Sequence, residues 1–238
     1  QKPFPFLHLP RELQLQILAA TPLVQATHVR IVDGKFSRDG LTHTFADLAN
    51  DIFFSRNVFS IHTWRTNVVW EDKGNLEGMY SFLAGLLPQA LARIRRLEIL
   101  LPPVGDTSHF DGKLDWMSSW QASMQLLATH ATLSSLVLTI KIGNKDQHFT
   151  RKEHFTTQEE IQILQAFQEV VRPLVRWEEL KRLYVYVPYP FGSDNEGERI
   201  EVERRLEQTV MGPNYDAYCM GKPEPDAYTR PFLRDWWE

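Results

Sequence analysis

Apolar positions recur along this chain with two different periods. Three segments share one spacing: Ile94-Arg95-Arg96-Leu97-Glu98-Ile99-Leu100-Leu101, Leu133-Ser134-Ser135-Leu136-Val137-Leu138-Thr139-Ile140 and Leu180-Lys181-Arg182-Leu183-Tyr184-Val185-Tyr186-Val187. Each reads as an apolar anchor, two free positions, a leucine and then alternating apolar residues. In a strand, that alternation puts Leu97, Ile99 and Leu101, or their equivalents, on one face, so strands are predicted near 94–101, 133–142 and 180–187. Between them the period changes to three and four. Met117, Trp120, Met124, Leu127 and Ala131 form one stripe, with Asp111 or Asp115 available as a cap. Ile163, Phe167, Val170 and Leu174 form another, opened by the capping-box patterns Thr156-x-x-Glu159 and Thr157-x-x-Glu160 and ended near Pro173.

A strand, a crossover helix and a strand of the same kind make a βαβ unit, whose strands run parallel with helices on one or both faces. The spacing from Leu97 to Leu136 is 39 residues and from Leu136 to Leu183 it is 47, longer than the roughly 20 to 29 of regular leucine-rich repeats. The expected fold class is α/β: an irregular leucine-rich-repeat-like array of parallel strands and helices. The plainer alternative is an ordinary α/β sheet with leucine-rich buried strands. Ahead of the array, Leu9, Leu13, Ile17 and Leu18 make an apolar helical stripe, with Pro10 suited to its first turn, Glu12 to its dipole and Pro22 to its end. Then Val29 to Val32 alternate and Asp33-Gly34 turns, as a β-hairpin does. The organisation expected is an N-terminal helix in 1–25, a repeat-like body in 26–190 and a C-terminal segment in 191–238.

Composition narrows the class. Of 238 residues 43% are hydrophobic and 12% aromatic, with a mean hydropathy of -0.33, which is too apolar for a disordered chain. Apolar runs are broken by charge or proline well short of the roughly 20 residues a transmembrane helix needs, so no membrane partner is expected, and a cytoplasmic or nuclear location is. The net charge of -4 gives no nucleic-acid footprint. The acidity is C-terminal: the last 48 residues hold six basic and eleven acidic residues, against twenty and nineteen before them. That stretch is also rich in Gly, Pro and aromatics, and it is expected to pack as an irregular segment over the body. Cys219, alone in the sequence, excludes an internal disulfide framework and a Cys-rich zinc site.

Chemistry is scarce. His148 and His154 do not have the spacing of a helical metal pair, and the run Lys141, Lys145, Arg151, Lys152 reads as a solvated loop. No metal and no cofactor are expected. Without a nucleophile elbow, P-loop or dinucleotide loop, catalysis ranks third among the readings. It would need His62, His109 or His130 to meet a carboxylate in space.

The segment Phe6-Leu7-His8-Leu9-Pro10-Arg11-Glu12-Leu13-Gln14-Leu15-Gln16-Ile17 resembles the first helix of an F-box, and it looks most like fungal F-box-like proteins of unknown function. Asp51 to Ile61, with its Phe53-Phe54 pair and Asn57-Val58-Phe59, and Leu83 to Leu101 are similar to later parts of the same family. The resemblance implies a protein-interaction module, a substrate receptor of an SCF-type ubiquitin ligase, whose Leu9, Pro10, Leu13, Ile17 and Leu18 contact the Skp adaptor. The chain departs from the family after Val24: where a second F-box helix should stand, Ala26 to Phe36 alternates as a hairpin. The first helix has a second possible role, capping the open N-terminal edge of the array.

For the partner, aromatic residues are the candidates, since Trp and Tyr dominate binding hot spots: Trp64, Tyr184, Tyr186 and Tyr189. Tyr184 and Tyr186 alternate with Leu183, Val185 and Val187 and should project from the opposite sheet face. There they would lie beside Glu98 and Leu100 and beside Val137 and Thr139, exposed if no helix covers them. A second reading is a scaffold or small-ligand-binding domain without a ubiquitin role, with an aromatic pocket under the C-terminal segment.

Overall fold

The computed structural model describes residues 10–20, 29–32, 35–36, 52–63, 76–101, 115–142, 156–187 and 196–223. In chain order these form α1 (Arg11–Ala19), β1 (Val29–Val32), β2 (Lys35–Phe36), α2 (52–56), β3 (Phe59–His62), α3 (Leu76–Gly85), α4 (Pro88–Arg93), β4 (Arg96–Leu101), α5 (Asp115–His130), β5 (Val137–Ile142), α6 (Thr157–Val171), β6 (Arg182–Tyr186) and α7 (Glu196–Met211). Turns of 3₁₀ helix precede β5 and β6, at Leu133–Ser135 and Arg172–Arg176.

The strands make one sheet in the order β2-β1-β3-β4-β5-β6. β1, β3, β4, β5 and β6 are mutually parallel, and β2 is antiparallel at one edge. The Val32↔Lys35 pairing leaves Asp33-Gly34 between the two hairpin strands, the spacing of a two-residue hairpin loop. Among the parallel strands, spatial order follows chain order, so each crossover advances one strand in the same direction.

Alternation explains the layering. Phe59 and Ile61, Leu97, Ile99 and Leu101, Leu138, Ile140 and Ile142, and Leu183, Val185 and Val187 all join a single buried cluster. The same cluster takes Met79, Phe82 and Leu83 of α3, Leu91 of α4, Trp120, Met124 and Leu127 of α5, Ile163, Phe167 and Val170 of α6, and Leu206 of α7. The helices α3 to α7 therefore share one face of the sheet. Before each predicted strand the anchor is buried: Ile94, Leu133 and Leu180. The anchors close the turns, which is why β4, β5 and β6 begin two to four residues later than the pattern suggests. Trp120 ties two helices together: its Nε1–H donates to the carbonyl of Val170 at 2.9 Å, one of the last-turn carbonyls that a helix cannot satisfy itself.

Two expectations need correction. The repeat pattern aligns Leu97, Leu136 and Leu183, but the sheet aligns Leu97, Leu138 and Leu183. Leu136 is held back by the 3₁₀ turn, its N–H bonded to the Leu133 carbonyl at 3.1 Å, so β5 starts one pleat late. A slip of two residues preserves facing, and Leu136 stays buried on the helical side. Second, the segment after 190 is not irregular throughout, because 196–211 is a 16-residue helix. Gly212, with φ of 97°, ends it in the left-handed conformation that suits glycine, its N–H bonded to the Gln208 carbonyl.

Candidate functional site

Among the described residues, the sheet face opposite α3 to α7 carries the polar side chains of the strands. Registers place Ser60, Glu98, Thr139 and Tyr184 in one lateral row and His62, Leu100, Lys141 and Tyr186 in the next. The late start of β5 creates this arrangement: Lys141 lands diagonally across from Glu98, and their charges meet at 2.8 Å. Lys141 is thus a strand residue with a buried-face partner rather than part of a solvated loop. Ser60 donates its proton to Glu98 Oε1 at 3.2 Å and lies 3.2 Å from His62 Nε2. With that proton committed, the Ser60 oxygen is left to accept from the imidazole. Ser60 is 1% exposed and Glu98 8%. A serine whose proton points at a lysine-neutralised carboxylate is not primed as a nucleophile, and this row suits polar recognition or support.

Toward β6 the same face is closed by the chain itself. Tyr184 and Tyr186 do project away from Leu183, Val185 and Val187, yet both are buried, packed with Ala217, Tyr215 and Val137. Their hydroxyls donate to the carbonyls of Met220, at 2.6 Å, and Pro223, at 3.1 Å. The two tyrosines are therefore occupied by the C-terminal segment rather than displayed to solvent.

The outer edge of β6 is sealed in an unusual way. Odd residues of this strand direct their backbone groups away from β5, where a further strand would pair. Here side chains take that strand's place. The Tyr215 hydroxyl accepts from the Leu183 N–H at 2.9 Å and donates to the Leu183 carbonyl at 3.0 Å. Glu207 accepts from the Val185 N–H at 2.8 Å, and Glu203 from the Val187 N–H at 3.1 Å. Lys222 donates all three ammonium protons, at 2.8 Å each, to the Val185 carbonyl, Glu203 Oε2 and Glu207 Oε1. Its Nζ also sits 4.6 Å from the centroid of the Tyr186 ring. Arg199 adds a second cation to Glu203 at 3.0 Å.

Burial shifts the titrations here. Desolvation raises Glu207 above its ordinary range, against the opposing pull of Lys222. It also raises Tyr184, Tyr186 and Tyr218, and lifts Tyr215 from 10.0 to about 12. A tyrosine that keeps its proton longer when folded than when unfolded adds stability that is intact below pH 10 and is lost as pH climbs from there toward 12. Urea midpoints should therefore hold to about pH 9 and fall by about pH 11. Equal midpoints at both values would show that these hydroxyls are not held in the folded state.

At the other end of the chain, Leu13 and Ile17 lie one turn apart on α1 and are 44% and 40% exposed, and Pro10 is exposed beside them. Leu9 and the side chain of Leu18 lie outside the described residues, as do Trp64, Tyr189 and His109. His148 and His154 also lie outside the described residues, while His62 meets Ser60 and His130 ends α5. Sequence reasoning placed Glu98 on this face but missed its pairing with Lys141, and it missed Ser60, Glu203, Glu207 and Lys222 altogether. The available signal was weak: glutamates at 203 and 207, one turn apart, on the same helix face as Leu206 and Val210. Among the described residues no helix is long and apolar enough to cross a membrane, and no three His, Cys, Asp or Glu gather as a metal would require. Comparison with protein-family models, with curated proteins and with solved structures returned no significant match.

Proposed function

We propose that this chain is a protein-interaction module, in which α1 docks on an adaptor of the Skp type and the sheet and its helices, a leucine-rich-repeat-like array, carry a partner protein for an SCF-type ubiquitin ligase. The observation that carries the reading is the exposure of Leu13 and Ile17. A helix that only capped the sheet would turn this stripe inward, since burying two such side chains stabilises by about 1.5–3 kcal/mol each. Left outward, the stripe has the form of a helix-in-groove ligand, with anchors at i and i+4. The hairpin β1–β2 occupies the place of a second F-box helix, so adaptor docking rests on α1.

The test is capture of the Skp adaptor and cullin by the full chain, compared with a Leu13→Asp/Ile17→Asp variant. The variant should keep its circular dichroism spectrum and its stability within about 0.5 kcal/mol, as exposed positions do, while adaptor capture drops about tenfold or more. No capture by the unaltered chain, or equal capture by both, overturns the adaptor role.

A further inference from the structure

We infer that the rim of the sheet at the N-terminal ends of β3 to β6 binds an acidic peptide segment of a partner protein, with Arg96 and Arg182 as its central contacts. This deepens the interaction-module reading and rests on it, but it is independent of adaptor docking at α1. The segments that enter these four strands are 52–58, 86–96, 131–136 and 172–182, and the only carboxylates in them are Glu178 and Glu179. Against those stand six exposed cations, Arg56, Arg96, Arg172, Arg176, Lys181 and Arg182, on a chain whose net charge is -4.

Some basic residues at this end have a plain structural use. Helices antiparallel to the strands finish here, and their last carbonyls attract cations. Arg95 does this, donating to the carbonyls of Ala92 at 2.7 Å and Ile94 at 3.4 Å, and Arg172 pairs with Glu169 of α6 at 2.9 Å. Among the described residues, neither Arg96 nor Arg182 caps a helix carbonyl or pairs with a carboxylate. Their strand positions place both on the face opposite α3 to α7, since each alternates with an inward leucine, Leu97 and Leu183. The register sets them on either side of Val137 in one row, Arg96↔Val137↔Arg182. Two strand spacings put their Cα atoms about 10 Å apart. Each guanidinium can take a carboxylate with two parallel hydrogen bonds, and both are carried on strands, which hold them in place better than loops.

Dimensions favour a peptide over a nucleic acid. From β3 to β6 the rim spans about 14 Å, the length of roughly four extended residues. A long polyanion would run past it onto a chain that is negative overall. A short Glu- or Asp-rich stretch would not.

The experiment is fluorescence anisotropy with the full chain and three labelled probes: a short Glu-rich peptide, its Gln-for-Glu counterpart and a single-stranded RNA of similar length. The expected result is binding of the Glu-rich peptide alone, weakening as salt rises. It should weaken by about tenfold in an Arg96→Glu/Arg182→Glu variant through like-charge contact. Arg96→Gln/Arg182→Gln, which only removes the charges, should fall between. The Leu13→Asp/Ile17→Asp variant should bind the peptide normally, so loss of adaptor capture and loss of peptide binding are separate outcomes. No peptide binding at low salt, equal binding by the charge-reversed variant, or tighter binding of the RNA overturns the proposal.

Discussion

Replacing Lys222 with methionine should cost about 3–5 kcal/mol of stability, because it leaves two buried carboxylates without their shared cation. Glu203 keeps Arg199, but Glu207 and the Val185 carbonyl lose a partner at 2.8 Å with nothing to replace it. The loss should depend on pH with a definite sign. The Glu207 carboxyl already lies above its ordinary range through burial, and removing the cation raises it further. A raised carboxyl binds its proton more tightly in the folded state, so the penalty is small in acid and grows as pH rises through the new value. Urea unfolding of Lys222→Met at about pH 4 and about pH 7 should therefore show a larger deficit at the higher pH. A companion Lys222→Met/Glu207→Gln variant, which removes the stranded charge, should recover much of the loss. A deficit below about 1 kcal/mol at neutral pH would mean that the edge of β6 is held by other contacts.

That network shows where sequence reading runs out. β4, β5 and β6 were legible because burial on the helical side imposes a two-residue period, distinct from the three-and-four spacing of the helices. α5 and α6 were legible through the three-and-four spacing of Trp120, Met124 and Leu127 and of Ile163, Phe167 and Val170. α7 was not, because its inner face must supply acceptors to the backbone of an edge strand. Glu203 and Glu207 therefore stand where a core helix carries leucine, and the pattern looks solvated. The Glu98–Lys141 pair was hidden for a different reason: it depends on a one-pleat delay set by a 3₁₀ turn, and aligning the repeats by their leucines erases it. Tyr184 and Tyr186 were assigned the correct face, but the segment that covers them is 30 to 40 residues further on.

Trp120→Ala should be comparably severe, with a loss of about 3–5 kcal/mol from the cavity left by a fully buried indole. Two effects can be separated. Trp120→Phe keeps most of the packing and removes only the Nε1–H bond to the Val170 carbonyl, so it should cost about 1–3 kcal/mol, the penalty for an unpaired buried acceptor. Thermal or urea unfolding of both variants checks this order. If Trp120→Phe were as damaging as Trp120→Ala, the ring's volume would matter less than its tie between α5 and α6.

The side chains along the outer edge of β6 also fix how this architecture can change. An array of strand-and-helix units ordinarily lengthens by copying a unit onto its last strand, where free backbone groups wait for a new neighbour. Here Tyr215, Glu207, Glu203 and Lys222 have taken those groups, so a copied unit appended after β6 would meet no unpaired ladder. It would also strand two glutamates and a lysine with nothing to bond. A new strand at this edge would first have to displace four side chains that already hold the backbone groups of β6.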